Sequence, residues 1–347
     1  LGIGTLVIAA SLASRYGWWI ARRPFSLAGV EISPFGLSIV PFLLVVGVLI
    51  LVAFINWEDT CVTLGKLPLF QGGFFGSRQY TFGLLTNASC AISIAGFLFI
   101  IPVFLQSIGL TGLETGIILL PYSVTLSLFS LTTASLSQKI PPKYIIQFGL
   151  VLMLTGVWMT YDILTVELTA PELFWGFVLF GSGTGIVLAQ VSNVPLSAVP
   201  PSESGTASGV LETTREMGIA FGVAVIGGVF IFSMYSHLTN GILKQGEITV
   251  DETTRQEIII FLEDTLGKAK TPQEEDKLLA QLPEKVQQSI DTFLPSVLIN
   301  AQKTTLVTVF DCLLFSLFFS AFLPKTRLKQ KTTIATDAAS KGAKAME

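Results

Sequence analysis

Long apolar stretches recur along the chain at about 36–55, 81–105, 115–136, 145–164, 173–197, 206–235 and 304–323, and a partial one, LGIGTLVIAASL, occupies 1–12. Crossing a hydrocarbon core of roughly 30 Å at about 1.5 Å per residue takes about 20 residues, which each full stretch supplies. The stretches lack two-residue alternation, and a spanning strand would need only about 10 residues. In lipid a backbone N–H or C=O finds no water, so a segment this long and apolar closes its own hydrogen bonds as helix. The expectation is an all-α, polytopic helical membrane protein with eight spans, the first of them cut short.

Composition agrees. Only 13% of the 347 residues are charged and mean hydropathy is +0.68, whereas a soluble domain carries about 25% charged residues. A net charge of −3 leaves no basic surplus for nucleic-acid phosphates. Cys61, Cys90 and Cys312 have no CxxC spacing and His237 is the single histidine, so a disulfide framework, a zinc site and a haem pair are excluded, and no metal or cofactor is expected. A signal peptide would place a basic region before 1–12 and a small-residue cleavage site after it. Arg15, Tyr16, Trp18 and Trp19 follow instead, an interfacial belt. The run reads as the end of a helix whose start precedes Leu1.

Orientation follows from Lys and Arg in short loops. With the C-terminal tail inside, Lys66, Arg78, Lys139, Lys143, Arg215, Lys325, Arg327, Lys329, Lys331, Lys341 and Lys344 are cytoplasmic, and only Arg15, Arg22 and Arg23 lie in outer short loops. The protein is expected in the cell (inner or plasma) membrane, multi-pass, C-terminus cytoplasmic. The insertion 236–300 holds eleven acidic and six basic residues. Within it Asp251 to Lys268 and Pro272 to Leu294 show helical apolar spacing, which predicts short amphipathic helices. The insertion is either a solvated cap or a surface that docks a partner or attracts cations.

The run Val199 to Gly228, VPPSESGTASGVLETTREMGIAFGVAVIGG, ends one span with two prolines and then repeats small residues. Gly205/Gly209 and Gly218/Gly222 have the GxxxG spacing that lets helices approach closely. Other pieces stand in a definite order: Gly17-Trp18-Trp19, then Ala21-Arg22-Arg23-Pro24-Phe25, Trp57-Glu58, Leu67-Pro68-Leu69-Phe70, Ile118 to Ser123, and Gly181-Ser182-Gly183-Thr184-Gly185. Together these resemble the major facilitator superfamily, in particular its fourteen-span drug/proton antiporter branch, which exports quaternary ammonium compounds and other lipophilic drugs. The resemblance covers the C-terminal portion of such a transporter. It implies a C-terminal six-helix bundle preceded by about one and a half extra spans, and alternating access against an N-terminal six-helix bundle absent from this sequence.

On that alignment 1–80 is the truncated span, a second linker span and a cytoplasmic loop. The first five bundle helices occupy 81–235, the acidic extracytoplasmic loop 236–300, the last span 301–323 and the basic tail 324–347. The segment Ala134 to Lys143 is similar to a degenerate gating loop, with Ala134 and Gln138 where the pattern has glycine and aspartate, and with Lys139 and Lys143 retained as gate residues. A plain inside-positive loop is the alternative.

Ionisable groups inside spans are costly and are functional candidates by default. Asp311 lies roughly 10–15 Å from the outer end of its span at about 1.5 Å per residue; it is a proton-coupling candidate or a packing carboxyl. Asp162, Glu212 and Glu216 are further candidates. Asp162 is otherwise an interfacial group reaching water, and Glu212 and Glu216 with Arg215 are either an inner gate or a local ion pair. Asn87, Gln106, Tyr122, Ser123, Gln190 and Asn193 are transport-path candidates, or else bonds between helices. The Gly181/Gly185 run follows no strand, so close helix packing explains it rather than a nucleotide loop. Partners expected are a small lipophilic or cationic substrate, protons, the bilayer and the other bundle, without nucleic acid.

The acids are scattered over both membrane faces, which argues against a membrane enzyme. Export of another metabolite, or a chain inactive on its own, stay open beside drug efflux. If Asp311 carries protons, Asp311→Asn in the full-length protein abolishes efflux driven by a pH gradient while expression holds; unchanged efflux removes Asp311 from the mechanism.

Overall fold

The computed structural model describes residues 1–19, 21, 25–27, 30–32, 37–64, 76–136, 139–165, 170–245, 251–266 and 284–325. The readings made for Arg22, Arg23, Pro24, Lys66 to Phe70, Gln138, 272–283 and the tail beyond Lys325 lie outside those residues. The helices are α1 (Gly2–Tyr16), α2 (Ile39–Thr63), α3 (Arg78–Ser107), α4 (Gly112–Leu136), α5 (Pro142–Ile163), α6 (Phe174–Val191), α7 (Asn193–Leu196), α8 (Ser204–Gln245), α9 (Glu252–Leu266) and α10 (Glu284–Ser320). A hairpin of three-residue strands, β1 (Phe25–Leu27) and β2 (Val30–Ile32), lies in the α1–α2 connection.

Seven segments are long and apolar enough to cross a membrane: Ile39–Glu58, Arg78–Ser107, Gly112–Thr133, Pro142–Ile163, Pro171–Leu196, Pro201–Lys244 and Phe293–Ser320. Each coincides with one of the seven full stretches in the sequence. The apolar part of α1, Gly2–Ala13, is shorter. The chain is a polytopic all-helical membrane protein.

Local signals set the helix ends. Ser77 caps α3 by accepting from the Tyr80 N–H. After α3, Gly109 at φ +97° takes the left-handed turn that a side chain would disfavour. Two residues later Thr111 and Glu114 form a reciprocal capping box: Thr111 N–H donates to Glu114 Oε2 at 2.8 Å, and Glu114 N–H to Thr111 Oγ1 at 3.3 Å. Pro142 opens α5, where a missing N–H costs nothing.

The packing is organised by glycine. α6 lies between α4 and α5, and α3 packs on α8 and α10. A Cβ on Gly185 would stand 2.3 Å from the Leu126 carbonyl oxygen, and one on Gly181 2.4 Å from that of Tyr122. On another face of α6, Gly176 and Gly183 meet Gly156 and Gly149 of α5, a reciprocal pair of seven-residue spacings; a Cβ on Gly183 would stand 2.4 Å from the Gly149 oxygen. Gly218 and Gly222 of α8 seat on α3, with Cβ distances of 2.7 Å to Ala88 O and 2.4 Å to Ile92 O. Gly205 and Gly209, the preceding GxxxG pair on α8, are exposed and have nothing within 4 Å.

α8 and α10 both run on into the stretch read from sequence as a loop. With 42 and 37 residues they measure about 63 and 55 Å, against roughly 30 Å of hydrocarbon. α9 packs on these extensions: Ile259 and Leu262 join Tyr235, Leu238 and Val297 in a buried apolar cluster, and Arg255 donates to Asn240 Oδ1 at 2.9 Å and Ser236 Oγ at 3.0 Å. The amphipathic helix expected over 251–268 is described over Glu252–Leu266 as α9 and packs on those extensions. The second expected helix falls partly at 272–283, outside the described residues.

Because Gly185 and Gly222 abut backbone atoms that cannot rotate away, Gly185→Val and Gly222→Val are expected to lower stability by about 1–3 kcal/mol or more. Gly205→Ala is expected to leave it unchanged or raise it by about 0.5–1 kcal/mol, the helix-propensity gain. Thermal unfolding of detergent-solubilised protein, read by size-exclusion recovery, checks both.

Candidate functional site

Three elements bring buried polar and aromatic groups together in the middle of the bundle. α3 supplies Asn87, Cys90 and Phe97, α4 supplies Tyr122, and α6 supplies Phe180 and Thr184; all are buried. Tyr122 lies within hydrogen-bonding reach of Thr184, with its ring 5.9 Å from that of Phe180. Phe180 stacks on Phe97 at 4.0 Å. These rings meet because the Gly181 contact holds α6 against α4 at the Tyr122 backbone. Asn87 is 2% exposed and its side-chain nitrogen has no hydrogen-bond partner among the described residues. A buried amide left this way carries its desolvation cost uncompensated.

One further buried amide stands on the same α4–α6 seam. Gln190 donates from Nε2 to the Thr133 carbonyl at 3.4 Å, while its Oε1 has no partner among the described residues. Asn87, Tyr122 and Gln190 thus form the inner set of the transport-path candidates. The others stand elsewhere: Gln106 is exposed in the last turn of α3, Ser123 is exposed on α4, and Asn193 is exposed and donates to the Ala189 carbonyl at 2.9 Å.

The charged candidates do not converge. Asp311 is exposed on α10, on the face that also exposes Val307, Leu314, Phe315 and Phe318. Asp162 is exposed at the end of α5. On α8, Arg215 pairs with Glu212, and with Glu216 at 3.3 Å, so the local ion pair is present. Gly205, Gly209, Glu212 and Glu216 recur at helical spacing along one exposed face of α8. Lys139 is exposed in the α4–α5 connection, whereas Lys143 is buried and donates through Nζ to the Ala321 carbonyl. There its charge satisfies an end carbonyl of α10 and meets the negative end of that helix. Among the described residues no group of three His, Cys, Asp or Glu side chains could hold a metal.

Sequence reasoning passed over a latch at the other end of α3. The Tyr80 hydroxyl donates to Ala207 O at 2.8 Å, and Gln79 Nε2 donates to Val194 O and to Ser197 Oγ, each at 2.7 Å. Ser316 likewise donates to the Thr86 carbonyl at 3.1 Å across the α10–α3 seam. A Tyr and a Gln beside Arg78 look like ordinary interfacial residues, and their partners are two backbone carbonyls and a serine hydroxyl more than a hundred residues away, which no spacing rule encodes.

No protein-family model matches the chain. It is 29% identical over 164 residues to the multidrug efflux pump LfrA of Mycolicibacterium smegmatis, covering 47% of this chain and 32% of that protein. It is 28% identical over 163 residues to the multidrug resistance protein Stp of Mycobacterium tuberculosis, covering 47% and 30%. The longest of these likenesses, 28% over 263 residues, is to the "Probable actinorhodin transporter" of Streptomyces coelicolor, covering 69% of this chain and 45% of that one. The chain therefore spans less than half the length of the curated relatives it matches.

Replacing the unpartnered amide by a similar apolar volume removes a desolvation cost, so Asn87→Leu is expected to hold or raise the unfolding temperature. Tyr80→Phe deletes a made hydrogen bond and is expected to lower stability by about 1 kcal/mol. Thermal unfolding in detergent distinguishes the two directions.

Proposed function

We propose that this chain forms part of a major-facilitator secondary transporter of the drug/proton antiporter type, exporting amphiphilic, cationic compounds in exchange for protons. The observation that carries the reading is the likeness to multidrug efflux proteins in a chain whose own bundle buries Asn87, Tyr122 and Gln190 between α3, α4 and α6. Such groups orient a ligand, and the Phe180 ring 5.9 Å from Tyr122 offers apolar contact. The relatives are two to three times longer than the matched region, which supports a second six-helix bundle in the intact protein. The exposed face of α8, with Gly205, Gly209, Glu212 and Glu216, is proposed to meet that bundle, and Arg215 and Lys139 to serve its inner gate.

The excess of Lys and Arg in alternate loops supports a cytoplasmic C-terminus and a plasma or inner membrane location. Proton coupling is assigned to the membrane carboxyls, Asp311 first, with Glu212, Glu216 and Asp162 behind it. The division into linker spans, bundle, extracytoplasmic cap, last span and tail follows the same reading, with both flanking helices continuing into the cap. A second reading, export of a metabolite, is favoured by the actinorhodin transporter's likeness over 69% of the chain. An enzymatic role finds no support in the arrangement of the described acids.

The test is ethidium efflux from cells expressing the intact protein, with and without a protonophore. Protonophore-sensitive efflux is expected, lowered in Asn87→Leu and Tyr122→Phe at unchanged expression. Absence of efflux from a well-expressed protein overturns the drug reading in favour of metabolite export.

A further inference from the structure

The other side of the bundle carries a hollow that the transport reading does not use. Val157, Trp158 and Tyr161 of α5 and Leu306, Val307 and Phe310 of α10 line a groove of about 280 Å³. The Trp158 ring centroid lies 6.4 Å from those of both Tyr161 and Phe310, so the three rings form a continuous wall. Trp158 and Val307 are exposed on helices long and apolar enough to cross a membrane, which turns the groove toward lipid. At one end Lys303, one turn before Leu306 and Val307, holds its ammonium 5.3 Å from the centre of the Tyr161 ring. Among the described residues Lys303 has no carboxylate partner; Asp162, the residue after Tyr161, is exposed.

A free lysine at a membrane surface snorkels to water. This one is steered over a ring, at the polar end of an apolar groove, with no carboxylate paired to it among the described residues. We propose that the groove binds a phospholipid, its phosphate on Lys303 and a segment of one acyl chain against Trp158, Val307 and Phe310. A tail moving from bilayer to groove leaves one apolar medium for another and gains little. Retention therefore rests on the lysine–phosphate attraction, which is electrostatic and is worth about fivefold in affinity for a single cation at a membrane surface. The site requires only that α5 and α10 cross the bilayer, whatever the protein transports, so failure of the efflux assay leaves it standing.

The test uses the intact protein in a mild detergent and phosphatidylglycerol with brominated acyl chains, which quench a nearby indole. The Trp158 contribution is taken as the difference between the protein and its Trp158→Phe variant. Saturable quenching of that contribution is expected at low lipid mole fraction, with half-saturation raised about fivefold in Lys303→Gln and kept in Lys303→Arg. Brominated diacylglycerol, which has the tails without the phosphate, is expected to quench as weakly as the lipid does in Lys303→Gln. Equal half-saturation in the protein and Lys303→Gln, or equal quenching by diacylglycerol, overturns the site and reduces the groove to ordinary lipid contact. The diacylglycerol comparison needs no charge variant, so it decides the matter even where Lys303→Gln fails to fold.

Discussion

Close backbone contact at glycine is the interaction on which the bundle depends. Lipid tails are as apolar as leucine, so burying one helix against another gains little from the hydrophobic effect, and association rests on dispersion and on approach distance. α6 shows the consequence most clearly. Its Gly181 and Gly185 fit the α4 backbone, its Gly176 and Gly183 fit α5, and the helix is buried along most of its length. α8 repeats the device on α3 with Gly218 and Gly222.

The same closeness decides which polar groups become distinctive. Most Ser and Thr side chains in these helices return their hydroxyl to a carbonyl a turn back, as Thr86, Ser93, Thr160 and Thr184 do, and so satisfy themselves locally. An amide cannot complete its bonds that way. Asn87 and Gln190 are therefore left with unfilled bonding capacity inside the bundle. On the proposed reading these groups supply one side of a substrate path. The exposed face of α8, with Gly205, Gly209, Glu212 and Glu216, is the one proposed to meet a second bundle.

Beyond the apolar spans the described residues of this region pack on one another. Extending α8 and α10 past the hydrocarbon gives α9 a surface to cover, and the Tyr235, Leu238, Ile259, Leu262 and Val297 cluster closes it. Asp251 and Glu257 are exposed there.

The position and helical nature of each span were legible in the sequence, because 20 apolar residues in lipid have a single way to satisfy their backbone. So were the Gly218/Gly222 and Gly181/Gly185 contacts, the Glu212–Arg215–Glu216 pairing and the amphipathic character of α9, all of which depend on spacing within one helix. Spacing could not separate Gly205/Gly209 from Gly218/Gly222, two equal GxxxG pairs of which one meets α3 and the other open space. Nor could it tell that Asn87, Tyr122 and Gln190 point inward while Gln106, Ser123 and Asn193 are exposed, or that Lys143 ends at the Ala321 carbonyl and Tyr80 at Ala207. Periodicity within a helix fixes which residues share a face; which neighbour that face meets is set by how helices distant in sequence pack, and only the tertiary structure decides it.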